Sequence, residues 1–309
     1  MRYVVTGGAG FIGSHIAEEL VNRGDEIVIL DNLFSGKIEN IQSLLNNPKV
    51  TFYQGSITDP EILQQACTGA NGIFHQAAIT SVPRSVKDPL ASNEVNISGT
   101  LNVLVAAKSC GVRKIVYASS SSVYGDTPTL PKHENMVPDP KSPYAITKHA
   151  GEQYLKVFHD LFGLNTVSLR YFNVFGPRQD PNSEYSAVIP KFITRILRRE
   201  FPVIHGDGSQ TRDFTYVKDV AQANIQAMDS SAQGIFNVAY GSRISLTDLA
   251  STIMDIIGEQ MPLEFGPSRA GDIHDSLAAI NAAQEAFGYS PKYTVKTGLM
   301  ETVQWYQNQ

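Results

Sequence analysis

Residues 6–15 read Thr-Gly-Gly-Ala-Gly-Phe-Ile-Gly-Ser-His, and this stretch sets the class of fold. It lies between an apolar segment at residues 2–5, which predicts a short buried strand, and residues 12–20, whose apolar side chains recur at helical spacing. In a turn that binds a dinucleotide, one glycine makes the turn tight, one admits a pyrophosphate and one lets helix and strand pack closely. The three glycines with this spacing are Gly7, Gly10 and Gly13.

An acidic residue follows at the distance that a bound adenosine requires. A second apolar run, residues 26–30, predicts a strand that ends in Asp31, about 20 residues beyond the glycine turn. A carboxylate there binds a free ribose 2′-hydroxyl and disfavours a 2′-phosphate. The N–H groups at the start of the helix favour the pyrophosphate. The pattern therefore predicts NAD rather than NADP as the bound dinucleotide.

The composition argues against several other classes of function. The 309 residues carry a net charge of −5 without a basic run, so we expect no nucleic-acid partner. The cysteines, Cys67 and Cys110, and the scattered histidines have no metal-ligand spacing, which predicts no metal and a reducing, cytoplasmic setting. No apolar run is long enough to span a membrane, and the sequence begins directly in a predicted strand. We therefore expect neither a membrane segment nor a signal peptide.

Predicted strands alternate with predicted helices through the first half of the chain. The strands are Tyr3–Thr6, Glu26–Leu30, Thr51–Gln54, Gly72–His75, Lys114–Ala118 and Asn165–Arg170, and the helices are Ile12–Arg23, Pro60–Ala66, Glu94–Cys110 and Pro143–Phe162. This alternation predicts an α/β fold, a Rossmann-type doubly wound parallel sheet with helices on both faces. We expect residues 1–175 to bind NAD and residues 176–309 to form a smaller α/β substrate-binding lobe, with residues 213–239 returning to the first domain.

The candidate catalytic groups lie at two places on the rim where the strands end. Tyr144 and Lys148 are four residues apart, so they share one face of the helix Pro143–Phe162. A cationic lysine and an oxidised nicotinamide both favour the phenolate, which would lower the tyrosine pKa from about 10 and make it a general base. The hydroxyls of Ser119–Ser122 directly follow a predicted strand, where they suit hydrogen bonds to a sugar better than core packing.

Together these motifs resemble the extended short-chain dehydrogenases/reductases, and among them the UDP-hexose 4-epimerases. The similarity covers nearly the whole chain and includes His75-Gln76-Ala77-Ala78, Asn96-x-x-Gly99-Thr100, Arg170-Tyr171-Phe172-Asn173 and Arg212-Asp213-Phe214. The resemblance implies that a hydride leaves C4 of a UDP-sugar for bound NAD and returns to the opposite face of a 4-keto sugar. It also implies that NAD stays bound and that no external redox partner is consumed.

The resemblance assigns a role to each matching residue. It implies that Tyr144 takes the proton of the sugar 4-hydroxyl, that Lys148 binds the nicotinamide ribose and lowers the tyrosine pKa, and that Ser120 hydrogen-bonds the 4-oxygen. The implied cofactor contacts are Gly7, Gly10, Phe11, Ile12, Gly13, Asp31, Asn32, Ile57, Gln76, Ala77, Ala78, Asn96, Ser119, Tyr144, Lys148 and Tyr171. The implied substrate contacts are Ser81, Ser120, Ser121, Ser122, Tyr144, Asn173, Val188, Arg212, Arg269, Asp272 and Ser276.

The identity of the sugar depends on a few positions. Ser276 matches a position that a bulky tyrosine occupies in glucose-only relatives, and a serine there leaves room for a 2-acetamido group. Hydroxyls at Ser81 and Ser121 would bond that group, and Ala187 stands where glucose-type enzymes have an asparagine. We therefore expect UDP-GlcNAc and UDP-GalNAc as substrates. UDP-glucose and UDP-galactose stay open, because a wide pocket does not expel a smaller sugar.

Single residues argue for or against the other activities of this superfamily. Dehydratases of this superfamily carry an Asp-Glu pair where this chain has Ser121 and Ser122, so dehydration is disfavoured. A reductase would usually favour NADPH, against which Asp31 argues. The alternative activity is a 4-epimerase for UDP-glucose alone or for UDP-glucuronate, and the intact catalytic set disfavours a non-catalytic NAD-binding regulator.

The helices Glu94–Cys110 and Pro143–Phe162 carry apolar faces broader than one sheet contact needs. The resemblance implies that they pair across a twofold axis as a four-helix bundle, so a homodimer is expected.

The chain departs from the family pattern at Ser56, where an acidic residue commonly contacts adenine, and this puts one hydrogen bond in doubt. It departs again at Ala279, where an aspartate is usual, and the sequence offers no physical reason for that change.

Overall fold

The computed structural model describes residues 1–181, 187–267 and 274–309. Strands and helices alternate up to the middle of the chain. In order they are β1 (Arg2–Thr6), α1 (Phe11–Asn22), β2 (Glu26–Asp31), β3 (Val50–Gln54), α2 (Pro60–Cys67), β4 (Gly72–His75), α3 (Val82–Lys87), α4 (Pro89–Asn93), α5 (Thr100–Ser109), β5 (Lys114–Ser120), α6 (Pro143–Phe162) and β6 (Asn165–Tyr171).

The second half has shorter strands between its helices. In order they are β7 (Val174–Phe175), α7 (Val188–Leu197), β8 (Val203–His205), β9 (Thr211–Arg212), β10 (Thr215–Tyr216), α8 (Val217–Asp229), β11 (Gly234–Val238), β12 (Ile244–Ser245), α9 (Leu246–Ile257), β13 (Glu264–Gly266), α10 (Asn281–Phe287) and α11 (Val295–Gln307). The short strands pair in twos: β7 with β10, β9 with β12, and β8 with β13.

Seven parallel strands form the central sheet in the order β11-β6-β5-β4-β1-β2-β3. This sheet confirms the predicted α/β fold. Strand order reverses between β1 and β4, because the chain runs from β1 out to β3 and then crosses back. Ligands of such sheets bind at this reversal, beyond the carboxyl ends of the strands. The seventh strand, β11, lies beside β6 and comes from the 213–239 segment.

Apolar side chains fill both faces of the sheet and a third core in the second half of the chain. One face packs α1 and α8 through residues such as Ile16, Leu20, Phe74 and Val220. The other face packs α2, α5 and α6 through residues such as Leu63, Ile73, Leu104 and Leu155. The third core joins α7, α9 and α11 through residues such as Phe192, Ile193, Ile253 and Leu299.

The predicted helix Glu94–Cys110 is wrong in its first part. Residues Glu94–Gly99 form a wide π-helical turn, and the α-helix begins only at Thr100. π-Bulges of this kind are rare and often lie at functional sites. The short helices α3 and α4 before it were not predicted, although Ser81 and Asp88 cap them by accepting from the backbone N–H groups of Arg84 and Ala91.

Within the three described ranges, no helix combines the length and the apolar character that crossing a membrane requires.

Candidate active site

A cavity of about 450 Å³ opens beyond the carboxyl ends of β1, β2, β4 and β5. All but one of the predicted cofactor contacts line it: Gly7, Gly10, Phe11, Ile12, Gly13, Asp31, Asn32, Ile57, Gln76, Ala77, Ala78, Ser119, Tyr144, Lys148 and Tyr171. The cavity walls also include Phe34, Ser35 and Thr80, which no sequence motif indicated. The glycine turn, the ribose acid and the catalytic pair therefore share one cleft.

The glycine turn leaves space and donors for a pyrophosphate. Gly7 has φ +68°, and a Cβ built there would lie 2.7 Å from the backbone nitrogen of Ala77. A Cβ at Gly13 would collide with the carbonyl oxygen of Gly7. Helix α1 begins after Gly10 without a side-chain cap and without an acid in its first turn. Its first N–H groups and the positive end of its dipole are thus available to a phosphate, and these residues fit NAD.

Asp31 ends β2 at the edge of the same cleft. Its two carboxylate oxygens accept hydrogen bonds from the backbone nitrogens of Leu33, at 2.8 Å, and Ala9, at 3.0 Å. Burial raises the pKa of Asp31, and these backbone hydrogen bonds oppose the rise. Asp31 therefore stabilises the glycine turn through Ala9 and also lines the cavity.

Asn96 does not line the cavity, unlike the other predicted cofactor contacts. It is buried in the π-helical turn, where its side chain hydrogen-bonds both the N–H and the C=O of Ile79 and the hydroxyl of Thr147. Ile79 is part of the cavity wall, and Thr147 lies next to Lys148 on α6. Asn96 therefore links the cavity wall at Ile79 to the catalytic helix at Thr147 through hydrogen bonds on the side away from the cavity.

The catalytic pair lies at the start of α6, which Ser142 caps by accepting from the backbone nitrogen of Ala145. Lys148 is buried and donates to the carbonyl oxygen of Ala118 at 2.8 Å. Its Nζ lies 5.9 Å from the centre of the Tyr144 ring. The helix therefore places both side chains against the end of β5, where Ser119 and Ser120 face the cavity.

Burial dominates the titration of this pair. It raises the pKa of Tyr144 to about 12, and a hydrogen bond with Ser120 opposes the rise. It lowers the pKa of Lys148 to about 7, and the negative charge of Glu152 opposes the fall. The predicted lowering of the Tyr144 pKa is therefore not achieved by the chain alone, because loss of water disfavours the phenolate more than the protein groups favour it.

A polar cluster that the sequence analysis missed supports the floor of the cavity. Tyr171 and Gln76 line the cavity, and both hydrogen-bond Asn224 on α8 at 2.8–3.1 Å. Asn224 is fully buried, so it orients two cavity side chains from outside the cleft. A polar residue in the otherwise apolar face of a helix was the only signal that sequence offered.

A second cavity, of about 650 Å³, adjoins the first in the later half of the chain. Asn173 and Val174 line both cavities, so the two lie side by side. Helix α7 and the strands β8 and β9 form its walls, and the predicted contacts Val188 and Arg212 lie there. Four basic side chains line this space, Lys191, Arg195, Arg198 and Arg212, against one acidic side chain, Glu200, which lies 3.7 Å from Arg195. The positive charge of this space suits a diphosphate.

Ser276, a predicted substrate contact, lines neither cavity but hydrogen-bonds Asn173, which lines both. Its Oγ accepts from the side-chain amide of Asn173 at 3.0 Å and from the backbone nitrogen of Asp213 at 3.2 Å. A serine hydroxyl has two lone pairs and one hydrogen, so the hydrogen is left to donate. The Asp213 carboxylate, which is fully buried, accepts from the backbone nitrogens of Tyr240, Gly241 and Ala278 at 3.1–3.2 Å.

The predicted substrate contacts Ser81, Ser121 and Ser122 line neither cavity. Ser81 uses its Oγ to cap α3. Ser121 and Ser122 lie in the helical turn after β5, and the Oγ of Ser122 is buried without a hydrogen-bond partner in the part of the chain that the structure describes. Arg269 and Asp272 lie outside the described residues.

The chain is similar to known proteins over most of its length. Residues 3–239 match the NAD dependent epimerase/dehydratase family. The chain belongs to this family. It is 39% identical over 311 residues to a UDP-glucose 4-epimerase of Mycolicibacterium smegmatis, covering 100% of this chain and 99% of the relative.

Solved structures of this family agree closely with the fold. A UDP-N-acetylglucosamine 4-epimerase from Methanobrevibacter ruminantium M1, in complex with UDP-N-acetylmuramic acid, is 43% identical, with a TM-score of 0.96 over 99% of this chain and 98% of that chain. A UDP-glucose 4-epimerase of Thermus thermophilus, in complex with NAD, is 38% identical, with a TM-score of 0.90 over 99% of each chain. These findings confirm the predicted family and its NAD cofactor.

Proposed function

We propose that this enzyme is a UDP-sugar 4-epimerase that interconverts UDP-GlcNAc and UDP-GalNAc and also accepts UDP-glucose and UDP-galactose. The observation that carries the proposal is the meeting of Ser120, Tyr144 and Lys148 in the cofactor cleft, next to a basic cavity that shares Asn173 with it. The relatives named as UDP-glucose and UDP-N-acetylglucosamine 4-epimerases support this reaction. Epimerisation needs both a cofactor and a sugar nucleotide, and the two cavities supply adjacent places for them.

The chain's own residues would hold the substrate by its far end. The basic side chains of the second cavity bind the diphosphate, Arg212 among them. Tyr144 takes the proton of the sugar 4-hydroxyl and Ser120 hydrogen-bonds the same oxygen, so the 4-keto sugar forms without a free alkoxide. NAD, when bound, supplies the hydride acceptor and donor and, while oxidised, a positive charge. Anchoring through the diphosphate lets the sugar ring turn over between the two hydride transfers.

The choice of sugar rests on Ser276. Its free hydroxyl hydrogen suits the carbonyl oxygen of a 2-acetamido group, and its side chain, which lies against Asn173, is much smaller than a tyrosine. Ala187, another small residue, lines the second cavity next to Val188. A smaller sugar would still fit, because unfilled space discriminates weakly. UDP-glucuronate is the competing substrate, and a UDP-glucuronate 4-epimerase of Thermodesulfobacterium geofontis is 34% identical to this chain.

The test is to incubate the purified protein separately with UDP-GlcNAc, UDP-glucose and UDP-glucuronate, without added NAD, and to separate the products by anion-exchange chromatography. Conversion of UDP-GlcNAc to UDP-GalNAc supports the proposal and shows that NAD is retained from expression. Turnover of UDP-glucose alone keeps the reaction and rejects the role of Ser276. Turnover of none of the three, even with NAD added, rejects the reaction itself.

We also propose that the enzyme is a homodimer. Helices α5 and α6 leave large apolar side chains on their outer faces, where Val105 is 51% and Leu161 70% exposed. A patch of this kind marks a surface that a partner covers. Light scattering should give about twice the chain mass of 33.8 kDa, and a species of a single chain would reject the dimer. The unpaired Cys67 and Cys110 support a cytoplasmic setting for it.

A further inference from the structure

A buried carboxylate lies one helical turn beyond the catalytic lysine. Glu152 is on α6, four residues after Lys148, and only 1% of it is exposed. It accepts hydrogen bonds from Ser119 Oγ at 2.5 Å and from Arg170 Nε and Nη2, both at 2.8 Å. A fully buried charged pair contributes little net stability compared with apolar residues, so its presence calls for another reason.

The partners of Glu152 lie at the cavity: Ser119 lines it, and Arg170 is next to a residue that does. Ser119 directly precedes Ser120 at the end of β5, and Arg170 directly precedes Tyr171 at the end of β6. Ser120 and Tyr171 both line the cofactor cleft. One carboxylate therefore joins the helix that carries the catalytic pair to the two strands that carry its neighbours.

The negative charge of Glu152 also acts on Lys148. Lys148 is packed against its own helix, where Tyr144 and Glu152 lie, and against β5, where Nζ is 5.0 Å from the Tyr117 ring centre. On β4, burial lowers the pKa of His75 to about 3, so that histidine is neutral. Among the described residues, Glu152 is thus the anion that raises the pKa of Lys148 against burial.

Arg170 limits how much of that charge reaches the lysine. Its guanidinium holds both oxygens of Glu152 and lies 4.6 Å from the centre of the Tyr124 ring. His149 also faces Glu152, with Nδ1 3.4 Å from Oε2. Since opposite charges in contact compensate each other, removing Glu152 or removing Arg170 changes the field at Lys148 in opposite directions.

We propose that Glu152 and Arg170 are positioning residues for the epimerase reaction: the pair holds the end of β5, with Ser120, against the catalytic helix and places a compensated negative charge one helical turn from Lys148. The proposal rests on the proposed function only for its activity readout. Its electrostatic part makes a separate claim about the protonation of one lysine, which holds for any reaction that uses this pair.

The test compares variants that separate charge from position, each purified with NAD bound. Glu152→Gln keeps the shape but removes the anion, so Lys148 loses its proton more readily and the alkaline limb of the kcat profile moves down by about one pH unit. Arg170→Met leaves the anion uncompensated and moves the same limb up. Glu152→Asp keeps the charge but shortens the reach, so kcat falls about tenfold or more with the limb unmoved.

A direct readout accompanies the kinetics. The ultraviolet absorbance of tyrosinate, measured against pH in each variant and in its Tyr144→Phe counterpart, reports the coupled titration of the active site without turnover. If Glu152→Gln and Arg170→Met lose stability and activity but leave the pH profile and the tyrosinate titration unchanged, the pair is only structural and the proposal is overturned. Wild-type kcat in Glu152→Asp also overturns it.

The test also covers a Glu152→Gln variant that does not fold and a wild-type enzyme that turns over no UDP-sugar. If Glu152→Gln does not fold, Arg170→Met and Glu152→Asp still carry the test, because an unmoved alkaline limb in the first or an unchanged kcat in the second contradicts the proposal. If no UDP-sugar is turned over by the wild-type enzyme, the proposed function fails, but the shifts in tyrosinate titration still decide the role of Glu152.

Discussion

Asp213→Asn is the substitution whose effect the structure defines most closely. The Asp213 carboxylate is fully buried, and its oxygens accept the backbone N–H groups of Tyr240 and Gly241 on one side and of Ala278 on the other. An asparagine can keep one of these oxygens. The side-chain NH₂ of asparagine then replaces the other oxygen. Because it donates and cannot accept, the backbone N–H group that faced this oxygen loses its hydrogen bond.

The cost follows from this count. A hydrogen bond to a charged acceptor contributes about 1.5–3 kcal/mol, and leaving a buried donor unsatisfied costs a similar amount. We expect the free energy of unfolding to fall by about 3 kcal/mol, which for 309 residues lowers Tm by about 5 °C. The loosened segment includes Ser276, two residues before Ala278, so the KM for UDP-GlcNAc should rise while NAD remains bound.

Asp219→Asn provides the matched control. Asp219 is also a buried carboxylate, and it accepts the backbone N–H groups of Lys292 and Tyr293 at 2.8 and 3.1 Å. It lies at the start of α8 and lines neither cavity. Thermal unfolding and KM are measured for both variants. The reasoning is refuted if the two lose similar stability and raise KM alike, or if Asp213→Asn leaves Tm unchanged.

Three further substitutions test separate parts of the site. Tyr144→Phe should reduce kcat by about 10²–10⁴-fold while bound NAD, measured after denaturation, stays near one per chain; an unchanged rate would remove Tyr144 as the base. Ser276→Tyr fills the space beside Asn173 and should abolish turnover of UDP-GlcNAc while sparing UDP-glucose, whereas equal loss of both would show a general distortion. Leu161→Glu places a charge on the exposed face of α6 and should convert the dimer to single chains in light scattering, while Lys156→Glu, on the same helix, serves as the surface control; a dimer that survives Leu161→Glu would locate the interface elsewhere.

Local spacing explains much of what could be predicted before the structure. The glycines of the first turn, the acid after β2 and the Tyr144-x-x-x-Lys148 spacing each depend on residues close together in the chain. Their geometry follows from one turn or one helix, so the cleft and its cofactor could be predicted from the sequence together with the family resemblance. The six alternating strands were predicted for the same reason, because each is a short local segment of the chain.

The remaining features depend on contacts between distant parts of the chain. Asn96 faces Ile79 and not the cavity, and Asn224 supports Gln76 from a helix that lies far along the chain. Glu152 joins its helix to two strands through Arg170 and Ser119, and no local pattern indicates these contacts. Burial raises the pKa of Tyr144 in the chain itself, and the expected lowering, which includes the charge of an oxidised nicotinamide, stays a prediction for the enzyme with NAD bound. Each of these depends on which groups lose contact with water when the chain folds, and that is a property of the packed molecule, not of any short stretch of sequence.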